Sequence, residues 1–486
     1  MIKNTASLRR IKNIHFIGIG GSGMSGIAEV LLNLGYGVSG SDKNINNTTE
    51  RLTMLGAKIF KEHTSANVAQ ADVVVASSAI TSHNPELMAA HTLRLPIISR
   101  AQMLAELMRF HYGITVAGTH GKTTTTSLLA TILSEANLDP TFVIGGILNS
   151  FSTNARLGQG EYFVIEADES DASFLHFNPM ASIVTNIDRD HMVTYGNDFA
   201  QLKQTFINFL HRLPFYGLAV LCIDDPTIRE LIPKISRPII TYGFSTDADV
   251  MIQDFRQIGF GCELRTNLGY SGQQLSLQLN LPGKHNSLNA VAAAIIAKEC
   301  CHVTMDDIVN ALQKFSGVGR RMQHYGEMVL LGSKKKVTII DDYGHHPREI
   351  MVTMEALRAA LPNRRLVLAF QPHRYSRTKD LFDEFAAALS LADQLLLMEI
   401  YAASELSTTA INSMALIDKI CSLKITNSKP IYVTDNDQLL AKLPAILEDG
   451  DILLLQGAGN ISLIAPQLKN IFTHTDPSSI ASNDDQ

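Results

Sequence analysis

The sequence predicts an α/β chain of three domains, each built from strands that run into polar loops and then helices. Three observations support this. Strand–glycine turn–helix patterns occur at residues 13–34 and again at 113–133, and further strand-to-loop junctions crowd the last third of the chain. A chain of 486 residues also has room for roughly two to four domains. We expect boundaries of 1–110, 111–321 and 322–470, with a polar Ser/Asp/Asn-rich tail, 471–486, read as disordered.

Composition narrows the classes. Hydrophobic residues at 45% and charged residues at 18% suit a globular protein with ample core. A net charge of -6 argues against a nucleic-acid partner. Five cysteines, with no Cys-x-x-Cys pair, point to small buried hydrophobes in a reducing compartment rather than disulfides or zinc. Lys3, Arg9, Arg10 and Lys12 are followed by no apolar run before Ile14, so no signal peptide is expected. No stretch of about 18 apolar residues is present, so no membrane insertion is expected. The expected location is cytoplasmic.

In the first domain, His15-Phe16-Ile17 leads into Gly18-Ile19-Gly20-Gly21-Ser22-Gly23-Met24 and then an apolar helix. Gly18, Gly20 and Gly23 fit the Gly-x-Gly-x-x-Gly turn, and Asp42 ends a second strand where a ribose ligand belongs. A strand-end cap is the plainer reading of Asp42. The pattern points to a Rossmann-like domain and a diphosphate, without selecting a nicotinamide cofactor. Val73–Val75 and Pro96–Ser99 read as further strands, and 101–110 as a helix leading out.

The central stretch Gly113–Thr126 reads as a strand, a glycine turn and a helix with Leu128, Leu129, Ile132 and Leu133 as its apolar stripe. Gly118 and Gly121 let backbone N–H groups close around phosphate oxygens, Lys122 would meet β/γ-phosphates, and Thr123 would hold Mg²⁺. Val116 stands where the full P-loop pattern has its first glycine, so the loop is a shortened one. Tyr162–Ile165 is a buried strand ending at Glu166, where a metal-binding carboxylate belongs in a P-loop domain. Asp168, Glu169 and Asp171, which follow it, each read as part of an acidic solvated turn, which leaves Glu166 as the metal candidate. Ala181–Thr185 leads to Asn186-Ile187-Asp188-Arg189-Asp190-His191, with His191 either structural or a ligand. Further on, Asn286 or Ser287 is positioned to cap the helix 290–297. Arg320 and Arg321, flanked by glycines, suit phosphate, with a charged linker as the alternative.

In the third domain Lys336–Ile340 runs into Asp341-Asp342-Tyr343-Gly344-His345-His346-Pro347. Arg365–Phe370 runs into Gln371–Thr378, and Ile452–Leu455 into Gln456–Asn460. Polar residues at the carboxyl ends of parallel strands mark ligand sites, and His373, Arg374 and Arg377 make a cationic loop suited to carboxylate or phosphate.

The runs Gly118–Thr125, Glu166–Asp171, Thr185-Asn186 with Asp190-His191, Gly18–Met24 and Asp341–Pro347 together resemble the Mur ligases, from about residue 12 to 470. These are ATP-dependent amide-forming enzymes of peptidoglycan synthesis. Within them the first-domain glycine run and Asp342–His346 are most similar to the members that join L-alanine to UDP-N-acetylmuramate. The resemblance implies a Rossmann-like UDP-binding domain, a P-loop ATP-binding domain and a C-terminal Rossmann-like domain. ATP would lie on Gly118, Thr119, His120, Gly121, Lys122, Thr123 and Thr124, with His285, Asn286 and Asn289 near its nucleoside. Arg320 would face its phosphates and Tyr343 its adenine. Thr123 and Glu166 would hold one Mg²⁺, and His191 a second. His345, Arg374 and Arg377 would serve the incoming amino acid and the transferred phosphate. The UDP-sugar would take Gly18, Gly20, Gly21, Ser22, Gly23, Met24, Asp42, Ser78 and Ala79. Monomer or homodimer is expected. A recycling ligase that adds a tripeptide to the same sugar nucleotide is the nearest alternative. An NAD-dependent oxidoreductase and a nucleotide-gated regulator are the alternatives from other classes. The loop Glu399–Glu405 has Ala402 where relatives often carry proline, and no site is assigned there.

Overall fold

Five parallel strands open the chain: β1 (Asn13–Ile17), β2 (Gly37–Ser41), β3 (Lys58–Phe60), β4 (Val73–Ala76) and β5 (Ile97–Ser99). Their order is β3-β2-β1-β4-β5. The chain therefore reverses direction across the sheet between β3 and β4, and the crevice beside the carboxyl end of β1 is the topological switch point. The glycine turn Gly18–Gly23 starts there. The computed structural model describes residues 8, 10–77, 80–268, 273–403, 405, 411–425 and 428–474. Ser78 and Ala79, and the side chain of Ser22, lie outside the described residues.

The edge strand β3 has no counterpart in the sequence reading. Lys58 is exposed and Ile59 and Phe60 are only half-buried, so it lacks the continuous apolar run that marks β4. A buried polar cluster stands behind the sheet. Glu86, in the first turn of the helix Pro85–Thr92, is fully buried with His15. It accepts hydrogen bonds from Ser41 Oγ at 2.7 Å and Asn67 Nδ2 at 2.6 Å. Its carboxylate also faces His63 Nδ1 at 2.7 Å and His15 Nε2 at 3.3 Å. Burial would raise the Glu86 carboxyl, but the hydrogen bonds from His15, Ser41, Asn67 and His63 overcome it and hold the pKa at about 2.

The central sheet has ten strands: β6 (Tyr112–Ala117), β7 (Thr141–Leu148), β8 (Thr153–Arg156), β9 (Tyr162–Glu166), β10 (Ala181–Val184), β11 (Leu218–Cys222), β12 (Ile239–Gly243), β13 (Val250–Ile258), β14 (Gly261–Leu268) and β15 (Gln273–Leu279). The order β15-β14-β13-β12-β11-β10-β6-β9-β7-β8 sets β6 between β10 and β9, all parallel. The helix Lys122–Glu135 is buried from Thr123 to Leu133, not on one stripe, because it lies between this sheet and the helix Met305–Lys314. The first and central domains belong to one compact unit. Gly26, on the helix Ser22–Asn33, seats the first domain on the β7–β8 hairpin: a Cβ there would stand 3.0 Å from Ala155 Cβ and 3.3 Å from Val143 Cγ1.

The second unit comprises residues 256–263, 280–285 and 317–486. Its strands are β16 (Gln323–Leu330), β17 (Lys336–Asp342), β18 (Leu366–Phe370), β19 (Gln394–Met398), β20 (Ile431–Val433), β21 (Ile452–Gln456) and β22 (Phe472–His474), in the order β20-β19-β18-β21-β17-β16-β22. β18 and β21 are buried at every position, as central parallel strands must be. β16 is antiparallel to both β17 and β22, so the last described strand, beyond residue 470, completes this sheet.

Cys222, Cys262 and Cys301 are buried and Cys300 partly so, but Cys421 is exposed on the helix Ser413–Leu423, against the expectation for all five. Among the described residues, no helix is long and apolar enough to cross a membrane.

Replacing Glu86 by Leu leaves several buried polar groups without their acceptor and should cost roughly 3 kcal/mol in urea denaturation. Because the folded pKa is lowered from 4.5 to about 2, the carboxylate's stabilisation is present above about pH 4.5 and is lost as pH falls toward 2. Denaturation of the wild type and Glu86→Gln across that window should show the difference between them closing.

Candidate active site

The phosphate loop is shaped by what presses on it. Gly118 has φ +125°, and a Cβ there would sit 2.2 Å from Thr185 Oγ1. Gly121, at φ +84°, would drive a Cβ to 2.7 Å from Asn289 Oδ1. The β10 end clamps the loop from the side. Thr119 N donates to the Asn186 carbonyl at 3.1 Å, and His120 N donates to Asn186 Oδ1 at 2.9 Å. Thr185 Oγ1 and Asn186 Nδ2 donate back to the His120 carbonyl at 2.6 and 3.0 Å. Asp188 N donates to Thr119 Oγ1 at 2.9 Å, and His120 Nε2 faces Asp188 Oδ2 at 3.3 Å. The helix that follows, Lys122–Glu135, has Gly121 as its N-cap and so no side-chain cap. Its first N–H groups and dipole therefore make an anion site.

Lys122 Nζ donates to the carbonyls of Gly118 at 2.7 Å and Thr119 at 3.2 Å, and to Glu169 Oε2 at 2.7 Å. Glu169 is 2% exposed, so the solvated-turn reading fails for it. Burial pushes its carboxyl up to about 7, although Lys122 pulls the other way. The carboxylate of Glu166, at the end of β9, accepts from Gly145 N at 2.7 Å. The Thr123 hydroxyl and the Glu166 carboxylate are oxygen donors of the kind a hard cation takes, so this pair fits Mg²⁺. His191, at φ +54°, donates its backbone N–H to Asp190 Oδ1 at 2.8 Å, and its Nε2 lies 3.4 Å from Asp190 Oδ2.

In the first domain Gly20 N donates to Asp42 Oδ2 at 2.8 Å, and Asn44 N to Asp42 Oδ1 at 2.9 Å. The Asp42 carboxylate thus braces the glycine turn. Met24 is buried, and Gly18 has φ +83°. Arg100, absent from the sequence reading, lies over the turn: a Cβ at Gly23 would meet Arg100 Nη1 at 2.3 Å. Its other Nη2 pairs with Asp168 Oδ2 at 3.4 Å.

Asn286 and Ser287 do not cap a helix. The helix starts at Lys284 and runs to Glu299, which puts both residues inside it. Asn289 Nδ2 donates to Asn286 Oδ1 at 3.4 Å.

In the second unit, Arg320 Nε donates to Asp341 at 3.2 and 3.3 Å, and its Nη2 to the Gly457 carbonyl at 2.6 Å. The guanidinium groups of Arg320 and Arg321 stand 5.4 and 4.8 Å from the Tyr343 ring centre. Tyr343, His345, His373 and Tyr401 form a chain of rings at 5.4, 5.7 and 5.6 Å, with His373 stacked on Tyr401 at 12°. Arg374 has φ +72° and donates its N–H to the Tyr401 carbonyl at 2.8 Å. Arg377 is buried, with Nη1 3.5 Å from His373. Ser376 N and Oγ donate to Glu405 at 3.0 and 2.5 Å. The loop Glu399–Glu405, given no role from the sequence, therefore supports the cationic loop. Packing around His285 lowers its pKa to about 4, so its ring is neutral at pH 7.

Three family models match the chain in order: "Mur ligase family, catalytic domain" over residues 13–112, "Mur ligase middle domain" over 116–297, and "Mur ligase, glutamate ligase domain" over 320–459. The chain is similar to the UDP-N-acetylmuramate-alanine ligase MurC of Thermotoga maritima, with 28% identity, a TM-score of 0.78, and coverage of 95% of this chain and 99% of that one. It is similar to a murein peptide ligase of Psychrobacter arcticus, with 25% identity, a TM-score of 0.70, and coverage of 94% and 98%. A third likeness is to the UDP-N-acetylmuramate:L-alanyl-gamma-D-glutamyl-meso-diaminopimelate ligase of Neisseria meningitides, with 30% identity, a TM-score of 0.58, and coverage of 64% and 100%. The fold is that of the Mur peptide ligases. The chain belongs to the Mur ligase family.

Gly118→Ala should force the loop off Thr185, and we expect a loss of about 2 kcal/mol in stability together with loss of nucleotide binding. Differential scanning calorimetry with and without nucleotide measures both.

Proposed function

We propose that the chain joins L-alanine to the carboxylate of UDP-N-acetylmuramate, with ATP cleaved to ADP and phosphate. The observation that carries this reading is the end-to-end likeness to the Thermotoga maritima alanine ligase, with a TM-score of 0.78 over 95% of the chain. The 30% identity to the Neisseria enzyme favours a second reading, with a tripeptide as the incoming amine.

A carboxylate is a poor acylating agent, because oxide is a poor leaving group. The muramyl carboxylate oxygen therefore attacks the γ-phosphorus, the bond to ADP breaks, and an acyl phosphate forms. The neutral amine nitrogen then adds to the acyl carbon, and the tetrahedral intermediate collapses with loss of phosphate. Lys122 and the uncapped helix start hold the phosphates and offset the charge that spreads over the γ-phosphoryl oxygens. Mg²⁺, on Thr123 and Glu166 with His191 for a second ion, would supply further positive charge. Gly18–Met24 with Asp42 hold the UDP end, while His345, Arg374 and Arg377 orient the amino acid through its carboxylate. A cytoplasmic location accompanies this reading.

Lys122→Ala should lower kcat/KM in a coupled ADP-release assay by about 10³-fold. Mass spectrometry should find UDP-N-acetylmuramoyl-L-alanine, with ADP and phosphate released in equal amounts. AMP and pyrophosphate among the products would reject the acyl phosphate, and faster turnover with the tripeptide than with alanine would select the second reading.

A further inference from the structure

The Lys122 ammonium has three protons, and in this structure all three are directed at protein acceptors: the carbonyls of Gly118 and Thr119, and the Glu169 carboxylate. A lysine so engaged cannot bind a phosphate without giving up partners. Glu169 is the charged one. Its position does not adjust easily, because its own backbone is tied down. Its carbonyl accepts from the Tyr195 hydroxyl and from Ala172 N at 3.0 Å. The residues on either side are held too: Ser170 N donates to Asp168 Oδ1 at 3.0 Å, and Thr194 Oγ1 to the Ser170 carbonyl at 2.6 Å. The carboxylate is 3% exposed, so water cannot replace the lysine as its partner.

We propose that Glu169 is a latch on Lys122, a positioning residue that docks the ammonium onto the loop until a nucleotide phosphate takes it, and that picks up a solvent proton as the ammonium leaves. The inference rests on the reading of Gly118–Thr124 as the ATP phosphate site. Its physical basis is charge bookkeeping in a dry place. With the lysine transferred to phosphate, a buried carboxylate would face a polyanion with no counter-ion, which burial and like charge both oppose. The charged and titratable groups facing Glu169 are Lys122 from the helix start, Asp168 in its own loop, and Tyr195 from the 192–195 segment. None of the other two can replace Lys122 as a cation. Burial already holds the carboxyl near 7 with the lysine in place, and loss of that pair moves it further up.

Isothermal titration of ATP in the presence of a chelator, in buffers of different ionisation enthalpy, tests this on the full-length chain. Wild type should take up more protons per ATP bound than Glu169→Gln, the nucleotide's own titration being common to both. At about pH 8 the Glu169→Gln protein should bind ATP about tenfold more tightly than wild type, and the gap should close toward about pH 6. Equal proton uptake in the two proteins, or weaker binding by Glu169→Gln at the higher pH, would overturn the latch. Infrared difference spectra of the wild type alone provide a check that does not depend on the variant's folding. A protonated-carboxyl band should appear on adding ATP, and its absence counts against the proposal. A wild type that binds no ATP rejects the assignment of the loop and the latch with it. ATP binding indifferent to Glu169 rejects the latch alone.

Discussion

The close contact between the loop Gly118–Gly121 and the end of β10 is the constraint on which the rest depends. Thr185 and Asn186 use two side chains and one carbonyl to hold both the N–H and the C=O groups of the loop. This is possible only because β10, β6 and β9 are adjacent and parallel. The same adjacency delivers Glu166 from β9 on one side and Asp188, Asp190 and His191 from beyond β10 on the other. One strand order thus brings together the glycine loop, the Glu166 carboxylate and the acidic loop that receives the lysine.

The two units use different means to hold charged groups. In the first, carboxylates act as internal braces: Asp42 supports the glycine turn and Glu86 gathers a polar cluster behind the sheet. In the second, rings do much of the work, from Tyr343 through His345 and His373 to Tyr401. Stacked rings fix direction without fixing charge. They leave Arg374 and Arg377 as the cations that set the potential of the loop.

Much of this was legible in the sequence, for identifiable reasons. Glycines at 118 and 121 and the Lys122-Thr123 pair are local chemistry, and the alternation of apolar runs with polar loops gives a parallel α/β fold in each third of the chain. What stayed hidden depends on distant contacts. Glu169 reads as one acid among several in an acidic turn, and only the fold shows it buried against Lys122. Arg100 is a helix-start residue until the sheet brings it over Gly23. Asn286 looks like a cap because the residues before it are polar or glycine, yet the helix has already begun at Lys284. β3 is too short and too exposed to stand out from the segment around it. The loop 399–405 was set aside on a proline missing after Tyr401, although its ring and Glu405 both buttress the cationic segment.

Gly26 carries a further consequence. Its bare Cα lets the helix that follows the first glycine turn lie directly on Val143 and Ala155 of the central hairpin. Both glycine turns therefore ride on one body, and their spacing is set by van der Waals contact rather than by a hinge. A single methyl group at that seam would act as a shim, widening the spacing of the two turns without altering any residue of either.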